Sequence, residues 1–252
     1  MNKYTIYIPS KGRAHCCISA DLFMKSNLKF FIVVEKQDYE SYAKKYGQER
    51  ILVLPFANLG IGVHPARNWI KEHSKSKGEE KHWQVDDDMI YVASYSKGKE
   101  TRQDPDYVIK TIEGFTDRYK NVAITGLTSN AFVFSKKKPF GLNQMVYGFF
   151  LFNNEVPYSW RCKGEDTDMS IQCLENNWCT INMHAFCFST KPIGKSKGGN
   201  EEIYQNNGRL ERALELKDLW PYLPIKITER FGRVHQDLST VWRRYKQPLI
   251  KK

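Results

Sequence analysis

No apolar run in the 252 residues approaches the ~20 needed to cross a bilayer as a helix, so a membrane-spanning protein is not expected. The start lacks a signal-like apolar core as well, since Met1-Asn2-Lys3-Tyr4 leads straight into a strand-like stretch. A cytoplasmic protein is therefore expected. Cysteine pairs with metal-binding spacing are missing too. Cys16 and Cys17 are adjacent, and Cys162, Cys173, Cys179 and Cys187 form no C-x-x-C, which argues against structural zinc and for free thiols. Internal repeats and low-complexity tracts are absent, and 41% apolar with 27% charged residues is ordinary globular composition. Acidic residues are in deficit, giving a net charge of +11. The deficit is uneven: residues 191–252 carry 14 Lys and Arg against 7 Asp and Glu, a net of +7 in 62 residues. Such a basic region suits a polyanion such as nucleic acid, or serves only as a solubilising surface.

What is present is an alternation of short strands and helices. Tyr4 to Ile8, Phe30 to Val34, Ile51 to Leu54 and His82 to Val85 read as buried strands. Between them lie a helix from an Asp38 cap to Gly47 and another through Ala66 to Ile70. Asp104-Pro105 reads as a cap with proline at the first helical position, starting a helix to about Tyr119. Further strands are expected over Val122–Thr125, Gln144–Phe152 and Thr180–Ser189, with a helix from Glu165-Asp166 to about Asn176. Beyond the flexible cationic loop Gly194–Asn200 come a charged helix, Gly208–Leu219, and an aromatic, basic end. The pattern predicts an α/β fold with a mostly parallel sheet and flanking helices over residues 1–190, followed by a basic extension over 191–252. In such sheets ligands bind at the carboxyl ends of strands, where the unusual polar clusters of this sequence lie.

Three consecutive aspartates, Asp86-Asp87-Asp88, follow the fourth strand, and like charges so close need a cation to neutralise them. In extended backbone Asp86 and Asp88 share a side, so both can face a hard divalent cation such as Mg²⁺ or Mn²⁺ while Asp87 points away. An acidic turn or a helix cap is the plainer alternative. Arg13 and Arg67 suit phosphate or ribose contacts through their planar guanidinium groups, or pair structurally with acids. Lys195 and Lys197 sit on the glycine-bearing loop and could close over phosphates; a mobile surface loop is the alternative. Asp166 at a helix start suits a base, although a helix N-terminus favours a carboxylate whatever the function. At the end of the chain, Arg230, Phe231, Arg233, His235, Trp242, Arg243, Arg244, Tyr245 and Lys246 interleave cations with rings. They could contact phosphates and bases, or pack as a helix through Val241, Trp242 and Tyr245.

Taken in order, these features resemble the metal-dependent GT-A glycosyltransferases. Val34-Glu35, Gly62 through Ala66-Arg67-Asn68, the aspartate triplet, and Glu165-Asp166 with Asp168 match that group's sequence of motifs over residues 4–170. A closer resemblance is to the phage glycosyltransferases associated with TET-type base oxidases, which decorate modified DNA bases. It rests on Ile8-Pro9-Ser10-Lys11-Gly12-Arg13, the Ala66-Arg67-Asn68 helix, Gln84 to Asp88, Lys197-Gly198-Gly199, and Arg230 to His235. The resemblance implies a GT-A-like, Rossmann-like fold. It also implies that Pro9, Ser10, Arg13, Glu35, Arg67, Asn68, Asp86, Asp87, Lys195 and Lys197 contact a nucleotide sugar. Asp86, Asp88 and His184 would hold Mn²⁺ or Mg²⁺, and Asp166 with Glu165 would be catalytic.

The function expected is transfer of a sugar, from a uridine diphosphate donor, to a hydroxymethylated pyrimidine such as 5-hydroxymethylcytosine in DNA. A phage-encoded enzyme would act in the host cytoplasm. The alternatives are a related enzyme with a protein or polysaccharide acceptor, and a sugar nucleotidyltransferase. The latter needs a glycine-rich triphosphate loop, and Pro9 to Arg13 holds one glycine. A non-catalytic DNA-binding module is a third possibility, against which the three aspartates argue.

Overall fold

A computed structural model describes residues 2–26, 28–191, 207–230 and 232–252. In chain order the elements are β1 (Ile6–Pro9), α1 (Ile18–Met24), β2 (Phe30–Val34), α2 (Tyr39–Tyr46), β3 (Ile51–Val53), α3 (His64–Ser76), β4 (Lys81–Val85), β5 (Met89–Ser96) and β6 (Lys99–Gln103). They continue with α4 (Pro105–Thr116), β7 (Val122–Ser129), α5 (Asn130–Val133), β8 (Phe140–Leu142), β9 (Phe149–Asn153), α6 (Glu165–Glu175) and β10 (Cys179–Thr190). Last come α7 (Gly208–Leu219), β11 (Lys226–Arg230), β12 (Arg233–Asp237) and α8 (Ser239–Trp242).

Ten strands form one sheet in the order β3-β2-β1-β4-β9-β7-β10-β5-β6, with β8 also paired to β10. The parallel run β3-β2-β1-β4 is the arrangement the strand–helix spacing predicts. Strand β9 then enters antiparallel between β4 and β7, and β10 continues parallel to β7. Strands β5, β8 and β9 thus oppose the shared direction of the others. The sheet is accordingly mostly parallel, and its carboxyl edge gathers the ends of β1, β2, β4 and β7.

Alternation along each strand feeds two cores. Ile6, Ile8, Ile32, Val34, Phe149 and Leu151 face α1, α2 and α4, where Phe23, Tyr42, Ile109 and Ile112 are buried. Tyr7 and Val33 face the other way, toward Ile70 of α3, and Phe150 and Phe152 pack on Met169 and Cys173 of α6. Burial on both faces explains why β1, β2 and β9 are apolar at consecutive positions. The outer face of α6 is covered in turn. Ile171 and Leu174 join Leu216, Trp220, Leu223, Ile225, Leu238, Val241 and Tyr245 in a third cluster, so the described C-terminal segment docks on α6. The chain end returns to the sheet, with Lys120 N–H donating to Ile250 C=O (2.9 Å) and Asn121 Nδ2 to Pro248 C=O (2.9 Å).

Several local expectations are corrected. The aspartates are not extended: residues 87–88 turn tightly between β4 and β5. The strand expected from Gln144 begins only at Phe149, because Gly148 takes φ +73°. A Cβ there would press on Phe188 at 3.2 Å and stand 3.5 Å from Asp86 Oδ2. Asp38 makes no side-chain cap on α2 and instead accepts the Gly12 N–H at 3.0 Å. Asp104 does cap α4, through Asp106 N–H. The terminal helix is the single turn α8, since the hairpin β11–β12 occupies the residues before it.

Candidate active site

At the end of β4, three side chains divide the aspartate turn into two layers. Asp87 is buried, and its carboxylate accepts from Arg13 Nη1 (2.7 Å) and Ser10 Oγ, which also pairs with the Tyr42 hydroxyl (2.6 Å). Burial raises the Asp87 carboxyl despite these partners. Burial, with the charges of Asp86 and Asp87, pushes Asp88 up to about 7 against the opposing pull of Arg13. Asp86 is the open member, with its side chain 41% exposed.

The centre of the site is Arg67, on the first turn of α3 and 1% exposed. Its Nη2 lies 3.0 Å from Asp86, 3.5 Å from Glu165 and 3.7 Å from Asp166. Burial alone would lower the guanidinium pKa, but Asp166, Asp86 and Glu165 outweigh it and hold the group charged. The ring of Phe150 supports it from beneath, with the centroid 5.2 Å away. One cation therefore draws together carboxylates from β4 and α6 that are about eighty residues apart in sequence.

Behind Arg67 runs a buried polar chain. Gln84 Oε1 accepts from Arg67 Nη1 (3.3 Å), while Gln84 Nε2 donates to the Arg67 carbonyl (3.3 Å) and to His82 Nε2 (2.9 Å). That donation leaves the His82 proton on Nδ1, facing Asn154 Oδ1 at 2.7 Å. Burial pushes the His82 pKa down to about 3, so the ring is neutral.

Asp166 is the least compensated acid of the group. Its Oδ1 is buried and accepts no hydrogen bond. Burial, and then Glu165 and Asp86 against the opposing pull of Arg67, raises it well above the ordinary carboxyl range. A carboxyl perturbed in this way at the carboxyl edge of a sheet is a candidate for proton transfer.

Residues 4–199 match the TET-associated glycosyltransferase family. The chain belongs to that family. Among solved structures it is similar to a protein of Desulfovibrio desulfuricans G20 described as a nucleotide-diphospho-sugar transferase. That pair shares 8% identity over 87% of this chain and 96% of the other, with a TM-score of 0.46. GalNAc-T7, solved with UDP, GalNAc and Mn²⁺, gives 11% identity over 87% and 49% of the chains, with a TM-score of 0.49. The glycosyltransferase GlyE of Streptococcus pneumoniae TIGR4 gives 14% over 80% and 42%, with a TM-score of 0.36. A search among curated proteins finds no match.

Within this glycosyltransferase the remaining expected site residues fall into distinct groups. Glu35, at the end of β2, is nearly buried and accepts from Gln37 Nε2 (2.5 Å) and Lys11 Nζ (3.3 Å). Burial would raise it, but Gln37, the Asn58 N–H and Lys11 prevail and hold it below the usual carboxylate range. Pro9 and Ser10 are buried at the end of β1 beside it. Arg13 and Arg67 are both bound to acids, so the structural-pair alternative describes the state seen. Asn68 is likewise occupied: it donates to the Trp160 carbonyl (2.8 Å) and accepts the Trp160 N–H (2.9 Å), clamping α3 to the segment leading into α6. Asp168 accepts both Arg161 Nη2 (2.6 Å) and Trp220 Nε1 (2.8 Å), which fastens the C-terminal segment to α6.

His184 is not brought to the aspartates. On β10 the pairing partner of Met89 is Thr190, and Phe186 already lies four residues, or roughly 13 Å, back along the strand. His184 lies further back, next to β8, with Nδ1 on the Lys138 carbonyl (3.1 Å). Among the described residues no three His, Cys, Asp or Glu side chains form a metal cluster by themselves. Lys195 and Lys197 lie outside the described residues, as does the side chain of Arg230.

The sequence reading gave no site role to Gln84 or His82 and missed the β5–β6 hairpin. The hairpin did carry a signal: alternation over Met89–Tyr95 followed by Lys97-Gly98, both at positive φ (50° and 77°), as a two-residue turn requires. At the far end, Val241 and Tyr245 are buried, with the Tyr245 hydroxyl donating to Glu175 (2.6 Å), while Arg233, Arg243, Arg244 and Lys246 are exposed.

Proposed function

We propose that the enzyme transfers a sugar from a nucleotide-diphosphate donor, a uridine diphosphate sugar, to the hydroxyl of a hydroxymethylated pyrimidine in DNA. The family supports the transfer chemistry, and its association with TET base oxidases supports a modified base, 5-hydroxymethylcytosine or an analogue, as acceptor. The observation that carries the reading is the gathering of Asp86, Glu165 and Asp166 around one buried Arg67 at the carboxyl edge of the sheet. Three acids against one cation leave negative charge for a ligand to neutralise.

Asp86 and Asp88 would hold a divalent cation, which would supply charge neutralisation to the diphosphate. Mg²⁺ in particular is held through one or two carboxylates, with phosphate oxygens and water completing its shell, so a third protein ligand is not required. Glu35, beside Pro9 and Ser10 at the ends of β1 and β2, suits a hydrogen bond to the nucleotide base. Asp166 takes the proton of the acceptor hydroxyl as its oxygen bonds to the anomeric carbon and the bond to the diphosphate oxygen breaks. Arg67 holds the base and the diphosphate side in register. Exposed Arg233, Arg243, Arg244 and Lys246 suit DNA phosphates.

The test is to incubate the protein with Mn²⁺, a panel of sugar nucleotides and hydroxymethylated DNA, then weigh the digested nucleosides. One hexose-sized mass increment on the hydroxymethylated base alone, lost with excess chelator, is expected. Donor consumed onto a protein or polysaccharide, with the DNA unmodified, overturns the acceptor. Full transfer in chelator overturns the metal.

A further inference from the structure

From Arg118 to Asn154 the chain contains no acidic residue, yet it holds Arg118, Lys120, Lys136, Lys137 and Lys138. Part of that stretch leaves the carboxyl end of β7 and crosses β5 and β10. Ser129, the last residue of β7, accepts the Ala131 N–H (3.3 Å). Asn130 Nδ2 donates to the Tyr91 hydroxyl (3.2 Å), three residues beyond Asp88 on β5. Val133 is buried against Ala93 and Cys187. These ties fix the short helix α5 over β5 and β10, on the strand that leaves the aspartate turn.

The same anchoring turns its neighbours outward. Phe132 is 59% exposed and Phe134 69%, on either side of buried Val133. Lys137 and Lys138 follow in full solvent, with Lys136 half-buried. Two rings held in water by a buried valine do nothing for the fold. Two ring faces followed by three ammonium groups, with no acid nearby in sequence, are complementary to unstacked bases joined by phosphates.

We propose that Phe132 and Phe134, with Lys136, Lys137 and Lys138, form a ledge that grips the acceptor strand as single-stranded or locally opened DNA. The rings stack on bases flanking the modified one, and the lysines bind their phosphates. A reacting base must leave its stack to reach the acid cluster, and the ledge stabilises the opened strand. This rests on the DNA-acceptor reading and adds where the strand lies.

The test uses the full chain and a fluorescein-labelled single-stranded deoxyoligonucleotide containing 5-hydroxymethylcytosine, read by anisotropy. Phe132→Ala with Phe134→Ala should weaken binding by roughly 10-fold or more, since stacking on each ring is lost. Changing Lys136, Lys137 and Lys138 to Gln should reduce the slope of log affinity against log salt by about 2. The indole introduced by Phe134→Trp should be quenched by the oligonucleotide, and thermal unfolding should be unchanged in all variants because the altered side chains lie at the surface. Wild-type binding that both sets of variants retain overturns the ledge and leaves the DNA reading standing. No binding by the wild type at low salt overturns both. Binding to anionic phosphatidylglycerol vesicles in place of the oligonucleotide assigns the ledge to a lipid surface and overturns the proposal.

Discussion

The two basic populations of this protein are used in opposite ways. In the sheet domain Arg67, Lys71 and Lys81 are buried, and each is spent on a local partner: the acid cluster, the Tyr158 carbonyl and Asp117 respectively. Arg13 is nearly as enclosed, on Asp87. In the C-terminal segment Arg233, Arg243, Arg244 and Lys246 stand in water, while their apolar neighbours Val241 and Tyr245 pack on α6. Net charge therefore misleads when it is read residue by residue. The buried cations are architecture, and the exposed ones are surface available to a polyanion.

The largest expected effect comes from breaking the first population at its centre. Arg67→Met leaves Asp86, Glu165 and Asp166 without their shared cation. Removing one partner of a buried ion pair costs about 3–5 kcal/mol, and urea unfolding should show a loss of that order together with loss of transfer. Stability unchanged in Arg67→Met would mean that the three acids are not held by it.

Acid should attack the same network from behind. His82 is neutral in the fold, with its pKa pushed from 6.5 to about 3 by burial. Its contribution is therefore full above about pH 6.5 and is lost as pH falls toward 3, because only the unfolded chain binds the proton in that window. The shift corresponds to stability on the order of 5 kcal/mol at most. Unfolding midpoints measured from pH 7 to pH 4 should fall more steeply for the wild type than for His82→Gln. Parallel curves would remove His82 from the network.

Asp166→Asn sharpens the distinction between holding and reacting. Turnover should drop by roughly 10²-fold, with donor affinity nearly unchanged and stability equal or higher, since a desolvated carboxyl is replaced by a neutral amide. Near-normal turnover would reduce Asp166 to another partner of Arg67.

The smallest effect belongs to the exposed population. Arg243→Glu with Arg244→Glu should leave the unfolding midpoint alone and weaken DNA binding by roughly 10-fold at low salt, with a shallower salt dependence. A fall in stability instead would show these arginines to be structural like those of the sheet domain.

Much of the frame was legible because it is local. Strands β1 to β4 and the helices α2 and α3 follow from apolar runs and turn residues, and Asp104-Pro105 marks the start of α4 through a cap that acts within two residues. The positions of Asp86 at a strand end and Glu165-Asp166 at a helix start were legible for the same reason. Other features turned on contacts that no neighbouring residue encodes. The apolar run of β9 carries no mark of its antiparallel insertion, since burial on both faces produces consecutive apolar residues in either direction.

By itself, then, the sequence determined most of the strands and helices of the sheet region, and that acids stand at the end of β4 and the start of α6, because periodicity and capping act over a few residues. Only the tertiary structure decided that Arg67 would meet Asp86, Glu165 and Asp166 together, that Asn68 would be spent on Trp160, and that His184 would stand apart. These outcomes depend on how β4, α3 and α6 pack around Phe150 and on the pairing of β10 with β8, and distances set by packing between remote segments leave no periodic trace in the chain.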